Sequence, residues 1–390
     1  MRTICAVITA RTSYTKFKPV LAALKARGDV RVQVICAASA VLERFGHVDR
    51  LVEADGFEVV ERIHCLIDSE LPLGMAKSTS MLLNDCAAAF SRLKPDVVFV
   101  MADRFEILAP SIAASYQNIP LAHIQGGETS GNIDQKVRHA ATKLADLHFP
   151  ATESAAGMLH QFAAHPERIF HTGCPSIDIA LTVTRRKTLS IDVVDLHLGV
   201  GPAIDLSKGY IIVMQHPVTN EYEASRQQAA ETLAAVERSH RPALWFWPNA
   251  DAGHEAFSKA LRVARENRHP ENIYFIKNLP PEQFLELAYF SDGIVGNSSV
   301  AIRECSFLGV PAINIGSRQH GRERGPNVID VPPDRDRILQ AIVTHLKGRV
   351  QSSTIYGTGH AGTRIADILA TVDLSFRDHT WPTITEPVAR

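Results

Sequence analysis

Apolar residues in this chain fall into short unbroken runs separated by longer stretches of helical spacing. The runs "TICAVIT" (3–9), "RVQVICA" (31–37), "DVVFVMA" (96–102), "PLAHIQ" (120–125) and "RIFHTG" (168–173) read as strands buried on both faces. Between them, 75–93, 105–117 and 133–146 repeat apolar positions at helical spacing. From 184 to 208 the pattern fails, and "TRRKTLSIDVVDLHLGVGPAIDLSK" is assigned as a linker on its mixed composition, glycines and proline. It resumes with "GYIIVMQ" (209–215), "PALWFWP" (242–248), "NIYFIK" (272–277), "DGIVGN" (292–297) and "PAINIG" (311–316). Two successive βα runs predict an α/β protein of two doubly wound, Rossmann-like domains facing across a cleft, residues 1–183 and 209–358.

Ligands of such sheets bind beyond the carboxyl ends of the strands. The polar residues worth singling out stand there. Arg11 follows the first run, Asp103 and Arg104 follow "DVVFVMA", and Glu128 follows "PLAHIQ". In the second half His216 follows "YIIVMQ", Asn249 and Asp251 follow "LWFWP", and Ser298 and Ser299 follow "GIVGN". Together they predict a polar rim around one cleft.

Composition narrows the choice of partner. A chain of 390 residues has material for two cores, and 41 basic against 42 acidic side chains argue against nucleic acid or a membrane surface. No apolar window of about 18 residues exists to span a bilayer. The opening "MRTICAVITARTSY" has too short an apolar run for a signal segment. Six cysteines, at 5, 36, 65, 86, 174 and 305, include no CxxC pair, which fits a reducing cytoplasm. Cys174 in "TGCPS" has no evident partner for a nucleophile, and 17 histidines include no HExxH, so no metal is expected.

Two stretches look like phosphate sites, and one is a decoy. "GTGHAG" (357–362) has the GxGxxG spacing, but only 28 residues follow it, too few for a βαβ unit with its ribose-binding acid. In "GNSSVAIRE" (296–304) a strand ends, two serines follow and a helix begins, so free N–H groups near Ser298 and Ser299 would face an anion. Plain N-capping by a serine accounts for the motif equally well by itself. The basic loop "GSRQHGRERG" (316–325) tips the balance towards a nucleotide diphosphate, with Arg318 its favoured member and Glu304 placed to accept from a ribose diol.

"ADRFE", "HIQGGETSGNIDQKVRHAATKLADLHF", "TGCPSID", "QHPVT", "PNADAG", "GNSSVAIRE" and "GSRQHGRERGPNVIDV" together resemble the hydrolysing UDP-N-acetylglucosamine 2-epimerases, over roughly residues 3–370. The resemblance implies the two-domain glycosyltransferase-B architecture, with a final helix, about 359–380, crossing back onto the first domain. It implies a homo-oligomer without a cofactor that supplies N-acetylmannosamine or a related sugar for nonulosonic acids. It places Arg11 and Thr15 beside the nucleotide, and Arg104, His216, Ser298, Ser299, Glu304 and Arg318 around the diphosphate and ribose. Asp103, Glu128 and Asp134 would face the sugar. Two positions depart from the family: "RTSY" (11–14) has Ser13 where RADY is frequent, and Gln125 stands where many relatives carry Glu or His.

The implied chemistry eliminates UDP across C1–C2 to a glycal and then adds water. That needs a base at C2, a proton donor on the other ring face and stabilisation of the diphosphate. Asp103, Glu128 and Asp134, with His216, are the candidates. Each acid also has a bland reading. Asp103 could cap a helix near Phe105, and Asp134 could pair with Arg138 at i,i+4. Glu128 has no sequence-local partner and is the first choice. A non-hydrolysing epimerase, a glycosyltransferase of the same architecture and a non-catalytic nucleotide-sugar binder are the rival readings. The sugar stays open between UDP-N-acetylglucosamine and a diacetamido-trideoxy analogue.

Overall fold

A computed structural model describes residues 1–69, 71–162, 165–248 and 251–375. The first half is built on β1 (Arg2–Ile8), β2 (Val30–Ala37), β3 (Val59–Ile63), β4 (Val97–Met101), β5 (Leu121–Ile124) and β6 (Leu147–Phe149). The second is built on β7 (Gly199–Val200), β8 (Ile211–Met214), β9 (Ala243–Phe246), β10 (Ile273–Ile276), β11 (Gly293–Gly296), β12 (Ala312–Ile315) and β13 (Val328–Val331).

The sheets run β3-β2-β1-β4-β5-β6 and β13-β12-β11-β8-β9-β10-β7, every pairing parallel except β10 with β7. The strand order therefore reverses between β1 and β4 in one sheet and between β8 and β11 in the other. Each reversal splays the following loops apart and opens a crevice at the strand ends. Arg11 and Asp103 leave the first crevice, His216 and Ser298 the second.

Central strands match the apolar runs because both faces are covered: β4, β8, β9, β10 and β12 are buried at every position. The helix Arg11–Arg27 lays Tyr14, Phe17, Val20, Leu21 and Leu24 on the first sheet and stops at Gly28, whose φ of 73° is the left-handed conformation a side chain disfavours.

Several boundaries differ from the sequence pattern. The strand expected at 168–173 is a single bridge, Ile169 to His148, and the sheet's last strand is instead β6. β3 and β13 were hidden because edge strands are only partly buried and lack an unbroken apolar run. The 105–117 helix is a 3₁₀ turn, Phe105–Ile107, running into Leu108–Tyr116. The 184–208 segment is no loose connector: it buries Ile191, Val193, Val194, Ile204 and Leu206 in the second core and contributes β7.

The last described helix, Ala361–Thr371, packs on the first half. Its Ile365, Ala366 and Leu369 join the core formed by β1, β2 and the helix Arg11–Arg27. Gly362 permits this docking, since a Cβ there would stand 2.8 Å from the Pro19 backbone. At its start, Asp178 accepts the Ala361 and Gly362 N–H groups at 2.9 and 2.7 Å.

Candidate active site

The loop after β4 begins under strain. Ala102 has φ 67°, left-handed for a residue with a Cβ, and turns the chain so that Asp103 and Arg104 point into the cleft. His123, on β5, holds this turn: its Nε2–H donates to the Ala102 carbonyl at 2.8 Å, and Nδ1 lies 3.0 Å from the Thr142 hydroxyl. Burial pushes His123 down to about 4, so the ring is neutral with its proton on Nε2 and accepts from Thr142.

Asp103 does not cap the following turn. Its Oδ2 accepts from Arg138 and, at 3.3 Å, from Arg322 of the opposite half. Arg138 in turn donates to the Glu128 carbonyl at 2.6 Å and to the Ser130 hydroxyl at 3.3 Å, so it is not the i,i+4 partner of Asp134. Arg104 forks onto Glu106 at 3.1 and 2.8 Å and reaches Asp251 at 2.9 Å.

Glu128 is occupied. Arg303 grips it with both ends of its guanidinium, at 2.8 and 2.5 Å, and Arg322 stands 3.6 Å away. Burial pushes this carboxyl up, but Arg303 and Arg322 outweigh it and hold Glu128 below the usual carboxylate range. Gly127 lets the loop reach there, since a Cβ would meet the Ala155 carbonyl at 2.3 Å. Glu128 does not line the described cavities, so the carboxylate singled out first from the sequence sits behind the site as a buried ion pair.

Asp134 behaves in the opposite way. It is the second residue of the helix Ile133–Leu144, and its Oδ2 accepts from the N-cap Asn132 at 2.9 Å. Burial raises its pKa, Arg318 at 3.7 Å offsets part of that, and Asp251 adds to it, leaving Asp134 above the usual value. Asp251 itself is pushed up by burial but held down overall by Arg104 and Arg318, between which it lies.

From the second half, His216 and Asn297 tie the ends of β8 and β11 together. The His216 N–H donates to Asn297 Oδ1 at 2.7 Å, and Asn297 Nδ2 donates to the His216 carbonyl at 2.8 Å. Burial and then Arg318 push His216 down to about 3, so it offers a neutral imidazole and not the positive charge expected beside a leaving diphosphate. The serine motif also differs from expectation. Ser298 caps a 3₁₀ turn, Ser299–Ala301, and the α-helix that follows is only Glu304–Leu308, so hydroxyls and side-chain cations replace a long helix dipole.

These groups enclose two adjoining cavities. One, about 50 Å³, is lined by Thr12, Lys16, Asp103, Arg104, Ser130, Asp134, His216, Ser298, Ser299, Arg318 and Arg322. The other, about 60 Å³, is lined by Arg11, Thr15, Phe246, Phe284 and Glu304 and shares Thr12, Lys16, Ser298 and Ser299 with the first. The buried Glu304 Oε2 has no hydrogen-bond partner. A larger cavity of about 490 Å³ opens alongside past Arg11 and Arg104, but holds none of Asp103, Glu128 and Asp134. Asn249 lies outside the described residues.

Lys16 and Arg303 were missed from the sequence, where Arg138 stood only as a helix partner for Asp134 and Arg322 only as one cation of the basic loop 316–325. Burial and then Arg303 bring Lys16 down to about 8, a cation poised to lose its charge in mild base. Arg303 carried a signal: an arginine inside the apolar run "VAIRECSFL" has to be paired to be buried.

The sequence model described as UDP-N-acetylglucosamine 2-epimerase matches residues 22–370. The UDP-N,N'-diacetylbacillosamine 2-epimerase (hydrolyzing) of Legionella pneumophila is 31% identical over 375 residues, covering 96% of this chain and 97% of that protein. The UDP-N-acetylglucosamine 2-epimerase of Neisseria meningitidis is 28% identical over 88% of this chain and 87% of its own length. A crystal structure of UDP-GlcNAc 2-epimerase from Neisseria meningitidis bound to UDP-GlcNAc shares the fold, with a TM-score of 0.76 at 18% identity over 94% of this chain and 99% of that one. Motif order, paired sheets and near-complete coverage agree, and the chain belongs to the UDP-N-acetylglucosamine 2-epimerase family.

Proposed function

We propose that the protein is a hydrolysing UDP-sugar 2-epimerase. It takes UDP-N-acetylglucosamine, or its diacetamido-trideoxy analogue, and water to N-acetylmannosamine, or the matching analogue, and UDP. The observation that carries this reading is that Asp103 and Asp134 line one small cavity with Lys16, Arg104, Arg318 and Arg322 in unlike surroundings: Asp103 accepts from Arg138 and Arg322, while burial biases Asp134 towards its protonated form. Two carboxyls set apart in this way can divide base and acid work.

In the first step a carboxylate removes the C2 proton, the C1–oxygen bond to UDP breaks, and C1=C2 forms. Asp103, with Arg138 and Arg322 against it, is assigned as that base. The departing diphosphate gathers its charge on Lys16, Arg318, Ser298 and Ser299, with a hydrogen bond from His216. Asp134 then gives its proton to C2 on the other face while water adds its oxygen to C1; the proton that water sheds restores Asp134, and Asp103 releases the one it took to solvent. Glu128 orients Arg303 and Arg322, and Asp251 orients Arg104 and Arg318. Arg11, Thr15 and Glu304 take the nucleoside, the orphaned Glu304 oxygen accepting from the ribose.

On this reading residues 1–183 handle the sugar, 209–358 hold UDP, and 184–208 joins them. The hydrolytic outcome is supported by the Legionella relative, whose name carries it. Six cysteines, all free and buried, accord with a cytoplasmic enzyme. The assignment extends to a homo-oligomer that works without a cofactor.

Proton NMR of the protein with UDP-N-acetylglucosamine in D₂O tests the proposal. Free N-acetylmannosamine carrying deuterium at C2, plus UDP, is the expected result. A product still attached to UDP would move the protein to the non-hydrolysing class. No turnover of this sugar or of the diacetamido analogue would overturn the assignment.

A further inference from the structure

Four residues beyond His216, the exposed side chain of Asn220 reaches from the second half to the first. Its Oδ1 accepts the Ile133 N–H at 3.2 Å, and its Nδ2 donates to the Gly131 carbonyl at 3.3 Å. These two backbone groups flank Asn132, which holds Asp134 twice: it accepts the Asp134 N–H at 3.0 Å and donates to the carboxylate at 2.9 Å. Asn220 therefore clamps the backbone whose side chain clamps Asp134.

Gly131 completes the joint. Its N–H donates to the Arg318 carbonyl at 3.3 Å, and a Cβ on it would stand 2.1 Å from the Ser317 carbonyl oxygen. Its backbone lies outside the left-handed region, so only the approach of the two halves requires glycine here. The Ser317 hydroxyl donates to Glu221, next to Asn220, which ties the second half's two loops into one surface.

We propose that Asn220 is a positioning residue: a two-point latch, seated on Gly131, that fixes Asp134 only when the halves are closed and so couples proton delivery to closure. The role in proton delivery rests on the assignment of Asp134 above. Two hydrogen bonds at the surface exchange readily for water, so the latch adds little to stability. Its effect is on geometry, where a displacement of about 1 Å can cost on the order of a hundredfold in rate.

Hydrogen exchange over residues 131–137, with and without UDP, tests the latch without reference to turnover. In Asn220→Ala the Ile133 amide should exchange about tenfold faster than in the unaltered protein at an unchanged melting temperature, and in Gly131→Ala, where the added Cβ forces the halves apart, at least as fast. Unaltered exchange in both variants would overturn the latch. In turnover, kcat of both should fall by about tenfold to a hundredfold with KM nearly constant. Asn220→Asp, which keeps the acceptor for Ile133, should recover part of that loss, and Asn220→Leu should not. Full kcat in Asn220→Ala would refute the coupling. An unaltered protein that turns over neither sugar would sink the functional assignment, while the exchange data still decide the latch.

Discussion

Glu128→Gln, Arg303→Met and their combination measure the ion pair that joins the two halves. The side chains are 5% and 1% exposed and meet at two points, 2.8 and 2.5 Å. Removing one partner of such a pair leaves a buried charge uncompensated and costs about 3–5 kcal/mol, whereas replacing both with neutral groups is often close to neutral. Arg322 decides which single change is worse. At 3.6 Å it is the second cation on Glu128, so Glu128→Gln leaves two guanidiniums facing each other and belongs at the upper end. Arg303→Met leaves Glu128 with Arg322 and belongs at the lower end. The double variant should then lose far less than the sum, with a coupling of about 3 kcal/mol or more, against about 0.2–1 kcal/mol for an exposed pair. Urea midpoints at constant m give all four corners of the cycle. The pH dependence supplies a second check. Because the folded pKa of Glu128 is depressed, its contribution is complete above about pH 4.3 and is lost as pH falls through the folded value. The gap between the unaltered protein and Glu128→Gln should be flat from about pH 5 to 8 and shrink in stronger acid. Additive single effects, within about 0.5 kcal/mol, would show that the pair is not formed and that the halves are not closed on one another.

Three further outcomes are expected. Asp134→Asn should lower kcat by about a hundredfold or more; because the raised Asp134 pKa makes its anion a cost to folding above about pH 4, the variant should melt no lower than the parent, and a clear drop in melting temperature would contradict that sign. Lys16, at about 8, should give kcat/KM for the UDP-sugar an alkaline limb near pH 8 that Lys16→Arg removes; an unchanged limb in the variant would assign it elsewhere. Glu304→Gln should raise the Kd for UDP by about tenfold with little change in kcat, measured by calorimetry and steady-state rates, since it replaces a charge-assisted bond to the ribose with a neutral one.

The central strands and the residues at their carboxyl ends were legible in the sequence because both follow from local pattern. An all-apolar run of four to seven residues bounded by polar ones suits a strand covered on both faces, and the two crevices fall at the ends of such runs. Partnerships across the cleft were not legible. Glu128 pairs with a residue 175 positions away, and Asp103 with one 219 away, so nothing near either acid announces that its charge is already matched. The same limit applied to the short range: the Asp134–Arg138 spacing suits a helix salt bridge, yet Arg138 turns inward to Asp103 and the Glu128 carbonyl. The edge strands β3 and β13 escaped because half-covered strands do not stand out by hydrophobicity. Thr172 and Gly173 show why "RIFHTG" misled: the run has a strand's composition, but Gly173 at φ 90° turns the chain away towards the second half.

The helix Ala361–Thr371 belongs to the first half by packing and to the far end of the chain by sequence, which bears on the order of events during synthesis. Ala361, Ile365, Ala366 and Leu369 complete a core whose other buried members lie between Ile4 and Phe149. A nascent chain that has reached residue 183 therefore carries six strands and an uncovered apolar groove along the helix Arg11–Arg27. At about 5–20 residues per second, roughly 10–40 s pass before Leu369 is made. Through that interval the first half is a binding partner without its ligand, open to chaperones and to the same helix of another copy.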